Sequence, residues 1–316
     1  MKAMWARVTI VARIVLLLCS QLLSGLLLAC LVVHFLIKDE FAGFAFVYYS
    51  APLAILAVLA LGLGWLWWLS QRMQFARLCF LFATLAFLAW SYKSFSFNSK
   101  KATPENVKIF FWNAAGNNST NEIAGYVHGF DADVIGMVES GMRSRNVSAW
   151  QKKFPEYHVE KLGGNMALLT KGTLLSKATG SLGGRGRFNL LEVGLKGKEL
   201  HVLLVDFDSD PFRSRAPAFE PLLQLIRAYA QTNLIVMGDF NTPLESVFFE
   251  PFHAYLDHAF ERGGNGFAES WPLPLPVLTI DHIWVSKKIN VINCNLNWSQ
   301  YSDHRPVLAN VALPHD

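Results

Sequence analysis

The stretch Asn233–Pro243, NLIVMGDFNTP, decides the fold. Its apolar run Leu234–Met237 predicts a buried strand that ends at Gly238. Asp239 and Asn241 follow at alternate positions, so both side chains can project the same way from the strand end, where α/β sheets form ligand sites. A carboxylate beside a carboxamide suits phosphate ester chemistry, because one can orient or deprotonate a water molecule and the other can stabilise a charged phosphoryl oxygen. The alternative is a polar turn capped by Asp and Asn.

The chain as a whole is too apolar for an ordinary soluble protein. Of its 316 residues, 52% are hydrophobic and only 16% are charged. The excess lies in three N-terminal runs, predicted as membrane spans over about 14–37, 44–70 and 75–92. About 20 apolar residues are needed to cross a bilayer core, and the third run is the shortest of the three. A cleaved signal peptide is the alternative for the first run, but that run is too long and two others follow.

Basic residues around these runs predict their orientation. Lysine and arginine flanks stay on the cytoplasmic side, and they precede the first run or separate the second from the third: Lys2, Arg7, Arg13, Arg72 and Arg77. We therefore expect a multi-pass protein of the cell (inner) membrane, with a cytoplasmic N-terminus. Everything after Tyr92 is then extracytoplasmic, or periplasmic, with the lipid bilayer as a partner.

The remainder of the chain is electrically balanced. Residues 1–92 carry six Lys/Arg and two Asp/Glu, which leaves 22 of each kind in residues 93–316. Such a neutral body is not suited to coating duplex DNA. Three of the four cysteines lie in the apolar runs, so Cys294 is alone in the remainder. This excludes a disulfide within that part and a zinc site built on cysteine pairs.

Residues 93–106 read as a polar linker, and 107–316 as one α/β domain with strands and helices in mixed order. Polar side chains follow or interrupt its apolar strands, and such side chains rarely point into a core unpaired. We expect them to converge on one site: Asn113, Glu139, Asp239, Asn241, Asp281, Asp303 and His304.

Two further motifs carry weaker signals. The glycine-rich piece Gly180–Arg187, GSLGGRGR, lacks the following helix that a nucleotide-binding loop needs, so a hairpin loop with Arg185 and Arg187 towards solvent or lipid headgroups is favoured. The acidic run Asp206–Asp210 has aspartates at alternate positions but lacks the glycine and distal glutamate of an EF-hand calcium loop.

Five motifs in this order, WNAAGN, DVIGMVES, GDFNTP, TIDHIWVS and SDHRP, resemble the endonuclease/exonuclease/phosphatase superfamily. This superfamily includes pancreatic deoxyribonuclease, apurinic-site endonucleases, sphingomyelinases and inositol polyphosphate 5-phosphatases. The resemblance covers about Val107–Ala312, and the N-terminal spans with WPLPLP before the IDH motif are similar to a membrane-anchored bacterial subgroup. It implies a four-layer α/β sandwich, two packed sheets flanked by helices, preceded here by about three transmembrane helices.

The resemblance also implies a metal site. Glu139 is expected as the main ligand of Mg²⁺ or Mn²⁺, with Asn113 and Asp303 completing the metal and phosphate environment. Oxygen ligands of this kind are the ones that these cations prefer.

The remaining residues take catalytic roles by the same resemblance. Asp239 is expected to orient or activate the attacking water, and Asn241 to stabilise the transition state. His304 is expected to bind or protonate a phosphoryl oxygen, with Asp281 holding its imidazole in the right tautomer. One position departs from the pattern: many members have histidine where this chain has Asp206, which leaves leaving-group protonation open and could bind a second cation.

These features together predict a membrane-anchored, Mg²⁺-dependent phosphoesterase. Its substrate is a phosphodiester or phosphomonoester in a lipid, a small molecule or a nucleic acid, and no protein partner is predicted. The alternatives are a catalytically silent binding module on the same fold, an extracytoplasmic nuclease, and a purely structural membrane protein, which leaves the polar residues unexplained.

Overall fold

The computed structural model describes residues 2–116 and 119–314. The chain divides into two compact units. The first holds the residues up to Lys93 together with Pro211–Ser214, and the second holds Ser94–Asp210 and the chain from Arg215 onward.

The first unit is helical. Its helices are α1 (Lys2–Val32), prolonged by a π-helical turn at Val33–Ile37, α2 (Ala42–Ser50), α3 (Leu53–Leu69) and α4 (Met73–Ser94). Two segments are long and apolar enough to cross a membrane, namely 27 residues at Val11–Ile37 and 22 residues at Met73–Ser94. The third predicted span is therefore longer than its apolar run, because α4 begins at Met73.

The second predicted span is not one straight helix. Helices α2 and α3 meet at an angle of 68°, with Ala51 and Pro52 between them. Proline lacks a backbone N–H and disfavours helical geometry in the residue before it, so the helix ends before Pro52 and a new one starts after it. The unit thus holds two apolar helices that could span a membrane, or three spans if the bent pair counts as one.

The second unit is built on two six-stranded sheets. The first has the strand order β13-β14-β2-β3-β5-β4, with β2 Val107–Asn113, β3 Val134–Val138, β4 His158–Lys161, β5 Ala167–Thr170, β13 Asn290–Leu296 and β14 Val307–Ala312. The second has the order β10-β12-β9-β8-β7-β6, with β6 Thr173–Ser181, β7 Gly186–Leu195, β8 Lys198–Phe207, β9 Leu234–Asp239, β10 Leu256–His258 and β12 Asp281–Ser286. A small ribbon pairs β1 (Phe95–Phe97) with β11 (Asn265–Phe267).

The two sheets pack face to face over an apolar core. Alternate residues of each strand fill it, such as Ile109 and Phe111 of β2 and Ile235 and Met237 of β9. The sheets approach closely at Gly136, where an added β-carbon would lie 2.4 Å from the Met237 methyl carbon. Alternation of this kind is what a strand with one face on a core requires.

Helices cover the outer faces. On the first sheet, α5 (Thr120–His128) and α6 (Val147–Lys153) bury a cluster that includes Ile123 and Trp150. On the second, α7 (Ala216–Tyr229) and the 3₁₀ helix Val247–Ala254 bury Phe219 and Phe249. A short 3₁₀ turn at Ser144–Asn146 and the helix α8 (Ala259–Gly263) complete the unit. The helix–sheet–sheet–helix order confirms the predicted four-layer sandwich.

Candidate active site

The candidate site is the polar continuation of the core between the sheets. At the cleft end of the inner row of each of four strands lies a polar residue, whereas the rest of the row is buried and apolar. Asp239 of β9 lies opposite Asp206 of β8 in parallel pairing and opposite Asp281 of β12 in antiparallel pairing. Asn113 ends the inner row of β2 in the facing sheet. The two sheets therefore bring these four side chains to one edge of the sandwich, as the strand-end pattern predicts.

Asp239 is the centre of the hydrogen-bond network. Its Oδ2 accepts from Asn113 Nδ2 at 2.9 Å and its Oδ1 accepts from the Asn241 backbone N–H at 2.8 Å. The amide of Asn113 also donates to Glu139 Oε1 at 3.2 Å, while its own oxygen accepts from the Ala115 N–H at 2.8 Å. Asn113 thus faces both carboxylates through its nitrogen and orients them.

Glu139 and Asn241 reach the cleft through left-handed backbone. Their φ values are 44° and 46°, a region that non-glycine residues enter rarely and at a cost of about 1–3 kcal/mol. The turn exposes the Glu139 side chain although Val138 and Ser140 on either side are buried. Asn241 is fixed by its Nδ2, which donates to the Phe207 carbonyl at 2.9 Å. One of its amide protons is therefore used within the protein, and the described part of the chain provides no acceptor for the other.

His304 is paired with Asp281. The imidazole Nδ1 lies 2.9 Å from Asp281 Oδ2, and both side chains are buried. Its Nε2 then faces Asp239 Oδ2 at 3.9 Å and Asp303 Oδ1 at 4.0 Å. Burial lowers the pKa of His304, but Asp281, followed by Asp239 and Asp303, outweighs it and raises that pKa to about 10. The imidazole is consequently charged near neutral pH.

Asp303 sits at the rim of the cleft. Its side chain is 51% exposed, and its Oδ2 accepts from Trp271 Nε1 at 2.9 Å. Its backbone carbonyl accepts from the Leu273 N–H at 2.8 Å. The proline-rich segment WPLPLP is therefore a rim loop and not a central strand, as its prolines predict.

Several carboxyl groups lie close together in the cleft, and each makes its neighbours harder to ionise. Burial first, and then Asp239 and Glu139, raises the pKa of Asp206 to about 8. Burial and the nearby Asp281 likewise raise the pKa of Asp239. Carboxyl groups with raised pKa values and convergent positions are frequent at functional sites.

The donor set fits a hard divalent cation. Ligand atoms of Asp239, Asp281 and His304 lie within 4.8 Å of one another. A charged imidazole bonded to Asp281 is a poor metal ligand. The exposed Glu139 carboxylate stays the predicted ligand. A second feature of the site is that Oδ1 of Asp281 is buried without a hydrogen-bond partner among the residues that the structure describes. Oxygen donors with room for water suit Mg²⁺ or Mn²⁺.

Residues that sequence reasoning missed hold this geometry. Ser302 Oγ donates to the Asn113 carbonyl at 2.8 Å and accepts from the His304 N–H at 3.0 Å. Ser270 Oγ accepts from the Asp281 N–H at 3.2 Å. Their place beside the SDH and WPLPLP motifs could have drawn attention to both. The buried Arg215, which donates to the Asn241 carbonyl at 3.2 Å, carries no sequence signal.

The glycine-rich piece forms the predicted hairpin, between β6 and β7. Its two arginines, which were both predicted to face solvent or lipid headgroups, differ in their surroundings. Arg185 does not simply face solvent, because its Nη1 lies 2.6 Å from Asp208 Oδ2. Arg187 is exposed.

Comparison with known proteins identifies the fold. A sequence profile described as the Endonuclease/Exonuclease/phosphatase family matches residues 110–304. Humanized D. rerio TDP2 carrying 14 mutations has a TM-score of 0.55 at 15% identity, covering 66% of this chain and 99% of that one. The human Nocturnin catalytic domain has a TM-score of 0.53 at 16% identity, covering 66% and 94%. A Bacteroides thetaiotaomicron mannosyl-6-phosphatase has a TM-score of 0.53 at 16% identity, covering 65% and 99%.

A sequence comparison with curated proteins finds no match. The structural neighbours share too little sequence to show more than the fold. The family profile, in contrast, spans more than half of the chain and covers the segments that carry Asn113, Glu139, Asp239, Asp281 and His304. On this ground the chain belongs to the endonuclease/exonuclease/phosphatase family.

Proposed function

We propose that this chain is a membrane-anchored, divalent-metal-dependent phosphoesterase that hydrolyses its substrate by in-line attack of an activated water. The observation that carries the proposal is the pairing of His304 with Asp281 directly beside the Asp239 carboxylate. A silent binding module has no need for a buried imidazolium held between carboxylates, which is costly to keep.

Asp239 is the residue proposed to act on water. Its raised pKa makes it a better proton acceptor than an ordinary aspartate, and Asn113 and the Asn241 N–H hold both of its oxygens in place. A water within reach of the free lone pairs of Asp239 would be oriented and deprotonated there.

His304 is proposed to contact the phosphoryl group of the substrate. Its charged Nε2–H points into the cleft, where it can donate to a phosphoryl oxygen as negative charge develops. Asp281 fixes the ring through Nδ1, and the remaining amide proton of Asn241 offers a second donor. A divalent cation bound at Glu139, with Asp303 nearby, would supply Lewis-acid polarisation of the same phosphoryl group.

The balanced charge of residues 93–316 favours lipid or small phosphoesters over long duplex DNA. The apolar helices Val11–Ile37 and Met73–Ser94 support a bilayer anchor, with the catalytic unit proposed on the extracytoplasmic side. Among the structural neighbours are a mannosyl-6-phosphatase and a TDP2 bound to a single-strand DNA product. Small phosphomonoesters and single-stranded nucleic acid therefore both belong in a substrate screen.

The test is a substrate panel on the full chain purified in detergent. Chromogenic phosphodiesters and phosphomonoesters are supplied with Mg²⁺, with Mn²⁺ and with EDTA, and His304→Ala is run beside the wild type. We expect metal-dependent hydrolysis that EDTA abolishes and that the substitution lowers on the order of 10²-fold or more. Wild-type protein that binds the cation by calorimetry but hydrolyses none of the panel would favour the silent binding module instead.

A further inference from the structure

Arg187 belongs to the same row of side chains as the three aspartates of the second sheet. In the pairing register it lies opposite Asp206, which lies opposite Asp239, which lies opposite Asp281. Paired residues on neighbouring strands project from the same face of a sheet. Later members of the same row in β7, such as Leu191, are buried in the core between the sheets. Arg187 therefore extends the row into the cleft with a positive charge.

The guanidinium of Arg187 has no protein anion bound to it. Its side chain is exposed, and among residues 2–116 and 119–314 no carboxylate oxygen lies within the 4.0 Å ion-pair distance. Arg185 in the same hairpin is different, because it is bound to Asp208 at 2.6 Å. Two arginines that are two residues apart thus have separate uses, one within the protein and one open to a ligand.

The aliphatic part of the Arg187 side chain packs against a glycine. A β-carbon added at Gly164, where φ is +74°, would lie 2.9 Å from Arg187 Cδ, so the arginine stem packs directly on this glycine. The loop 163–165 is anchored at both ends: Asn189 Nδ2 donates to its first carbonyl at 3.2 Å and the Ser140 N–H to its last at 2.9 Å. Since Ser140 directly follows Glu139, these contacts place Arg187 on the side of the cleft where Glu139 lies.

The strand register sets how far Arg187 lies from Asp239, beside which the reacting phosphate is proposed to bind. Neighbouring strands are about 4.8 Å apart, so the Cα of Arg187 lies roughly 10 Å from that of Asp239, two strands away. An arginine binds a phosphate or carboxylate with two parallel hydrogen bonds and stays charged at any working pH. A small phosphoester with a second anionic group would reach both residues at once.

We infer that Arg187 receives a second phosphate group of the substrate, and that the preferred substrates of the proposed phosphoesterase are small bisphosphates. This rests on the proposed function for the position of the first phosphate. In the row Asp281–Asp239–Asp206–Arg187, Asp239 would then activate the water, and Arg187 at the end of the row would select substrates by the position of their second phosphate.

Competitive inhibition tests the inference. Hydrolysis of bis(p-nitrophenyl) phosphate by the full chain in detergent is inhibited with glucose 6-phosphate or with glucose 1,6-bisphosphate, and the ratio of the two inhibition constants is taken. We expect the wild type to prefer the bisphosphate by on the order of 10-fold or more, the value of one charge-assisted hydrogen-bond pair. Arg187→Gln should remove the preference, so that the two inhibition constants become similar. Arg187→Lys should restore part of the preference for the bisphosphate.

The matched control is Arg262→Gln. Arg262 is also an exposed arginine, but it pairs with Asp257 at 2.8 Å, and Asp257 lies opposite Val285, four residues along β12 from Asp281. This variant should keep the wild-type ratio. A wild type without preference, or an Arg187→Gln variant that weakens both inhibitors equally, would overturn the inference.

If no ester of the substrate panel is hydrolysed, the proposed function fails but the inference is still decided. Calorimetric binding of the same two sugar phosphates, with Mg²⁺ present, replaces the inhibition constants. Preference for the bisphosphate that disappears in Arg187→Gln supports a two-phosphate site, and equal binding by both proteins contradicts it.

Discussion

Asp281 and His304 form a buried pair in which the imidazole Nδ1 lies 2.9 Å from Oδ2 of the carboxylate. This bond fixes the orientation of the ring, so the opposite nitrogen, Nε2, faces the Asp239 carboxylate at 3.9 Å. The pair comes from two different sheets, since Asp281 begins β12 and His304 lies just before β14. Its geometry therefore reports on how the sandwich is assembled as well as on the chemistry.

Removing the imidazole should remove most of the activity. We expect His304→Ala to lower kcat on the order of 10²-fold or more, the range typical of lost electrostatic or acid–base catalysis. The exposed His158 of β4 provides the control, because it pairs with Glu160 at 3.3 Å away from the cleft. His158→Ala should keep wild-type kcat, and equal loss in both variants would point to a folding defect.

Removing its carboxylate partner should move the pH dependence. The pKa of His304 is raised to about 10, with Asp281 as the main raising influence. In Asp281→Asn the histidine pKa falls, so the charged form is lost sooner as pH rises and the alkaline limb of the pH–rate profile shifts to lower pH. The loss in kcat should be smaller than in His304→Ala. An unshifted limb would break the proposed link between the pair and catalysis.

The Glu139 carboxylate is the predicted cation ligand. We expect Glu139→Gln to weaken Mn²⁺ binding by about 10- to 100-fold in calorimetry and to reduce metal-dependent activity alongside it. Glu156→Gln, which changes an exposed glutamate between α6 and β4, is the matched control and should bind Mn²⁺ normally. Undiminished Mn²⁺ affinity in Glu139→Gln would show that the cation is held elsewhere in the cleft.

We expect the ionised Asp206 carboxylate to destabilise the folded protein as pH rises. Its pKa of about 8 in the folded state exceeds the ordinary value of 3.8, so the folded protein loses stability between these values as the unfolded chain ionises first. With EDTA present, Asp206→Asn should be more stable than wild type at pH 9, on the order of 2 kcal/mol after discounting for its incomplete burial. The gain should shrink towards pH 4.

The opposite sign is expected for Asp257, whose pKa stays lowered against its burial by Lys287 and Arg262. Asp257→Asn should be slightly less stable than wild type at pH 7, by about 1 kcal/mol or less because the pair is at the surface. Thermal unfolding followed by tryptophan fluorescence compares the two variants. A loss of stability in Asp206→Asn at pH 9 would contradict the assignment of an uncompensated carboxylate.

The orientation of the membrane region remains a prediction from its basic flanks. A fluorescent reporter that matures only in the cytoplasm should be silent when fused after Asp316. The same reporter fused to a chain truncated after Arg72, between the second and third predicted spans, should be bright. Fluorescence from the first fusion would mean that the bent helix pair does not cross the membrane as one span, or that the orientation is reversed.

Much of the site could be predicted because it follows strand ends. A buried strand leaves an apolar run in the sequence, and the first polar residue beyond it marks the edge of the sheet, as at Asp239 and Asn113. Two strands lack this signal: β6 is largely exposed along its length, and asparagines interrupt the short apolar stretch of β13. A strand without an apolar run cannot be distinguished from a loop by its hydrophobic pattern.

Supporting contacts were beyond prediction for another reason. Ser302 bonds to Asn113 across 189 positions of the chain, and Arg215 reaches Asn241 across 26. Such pairs depend on which loop passes over which strand end, and spacing in the sequence does not record that. The break between α2 and α3 is the intermediate case, since Pro52 was visible but the apolar run around it favoured one uninterrupted span.

The shared rows of core and cleft residues have a consequence for how this protein can change over time. A single-residue insertion within β8 or β9 reverses the direction of every later side chain in that strand. Insertion ahead of Ile235, for example, would turn Asp239 away from the cleft and would also move Ile235 and Met237 out of the core between the sheets, onto the face that packs against α7. A chain with a displaced catalytic carboxylate would then also fail to fold, and cellular quality control would remove it before a defective enzyme could accumulate.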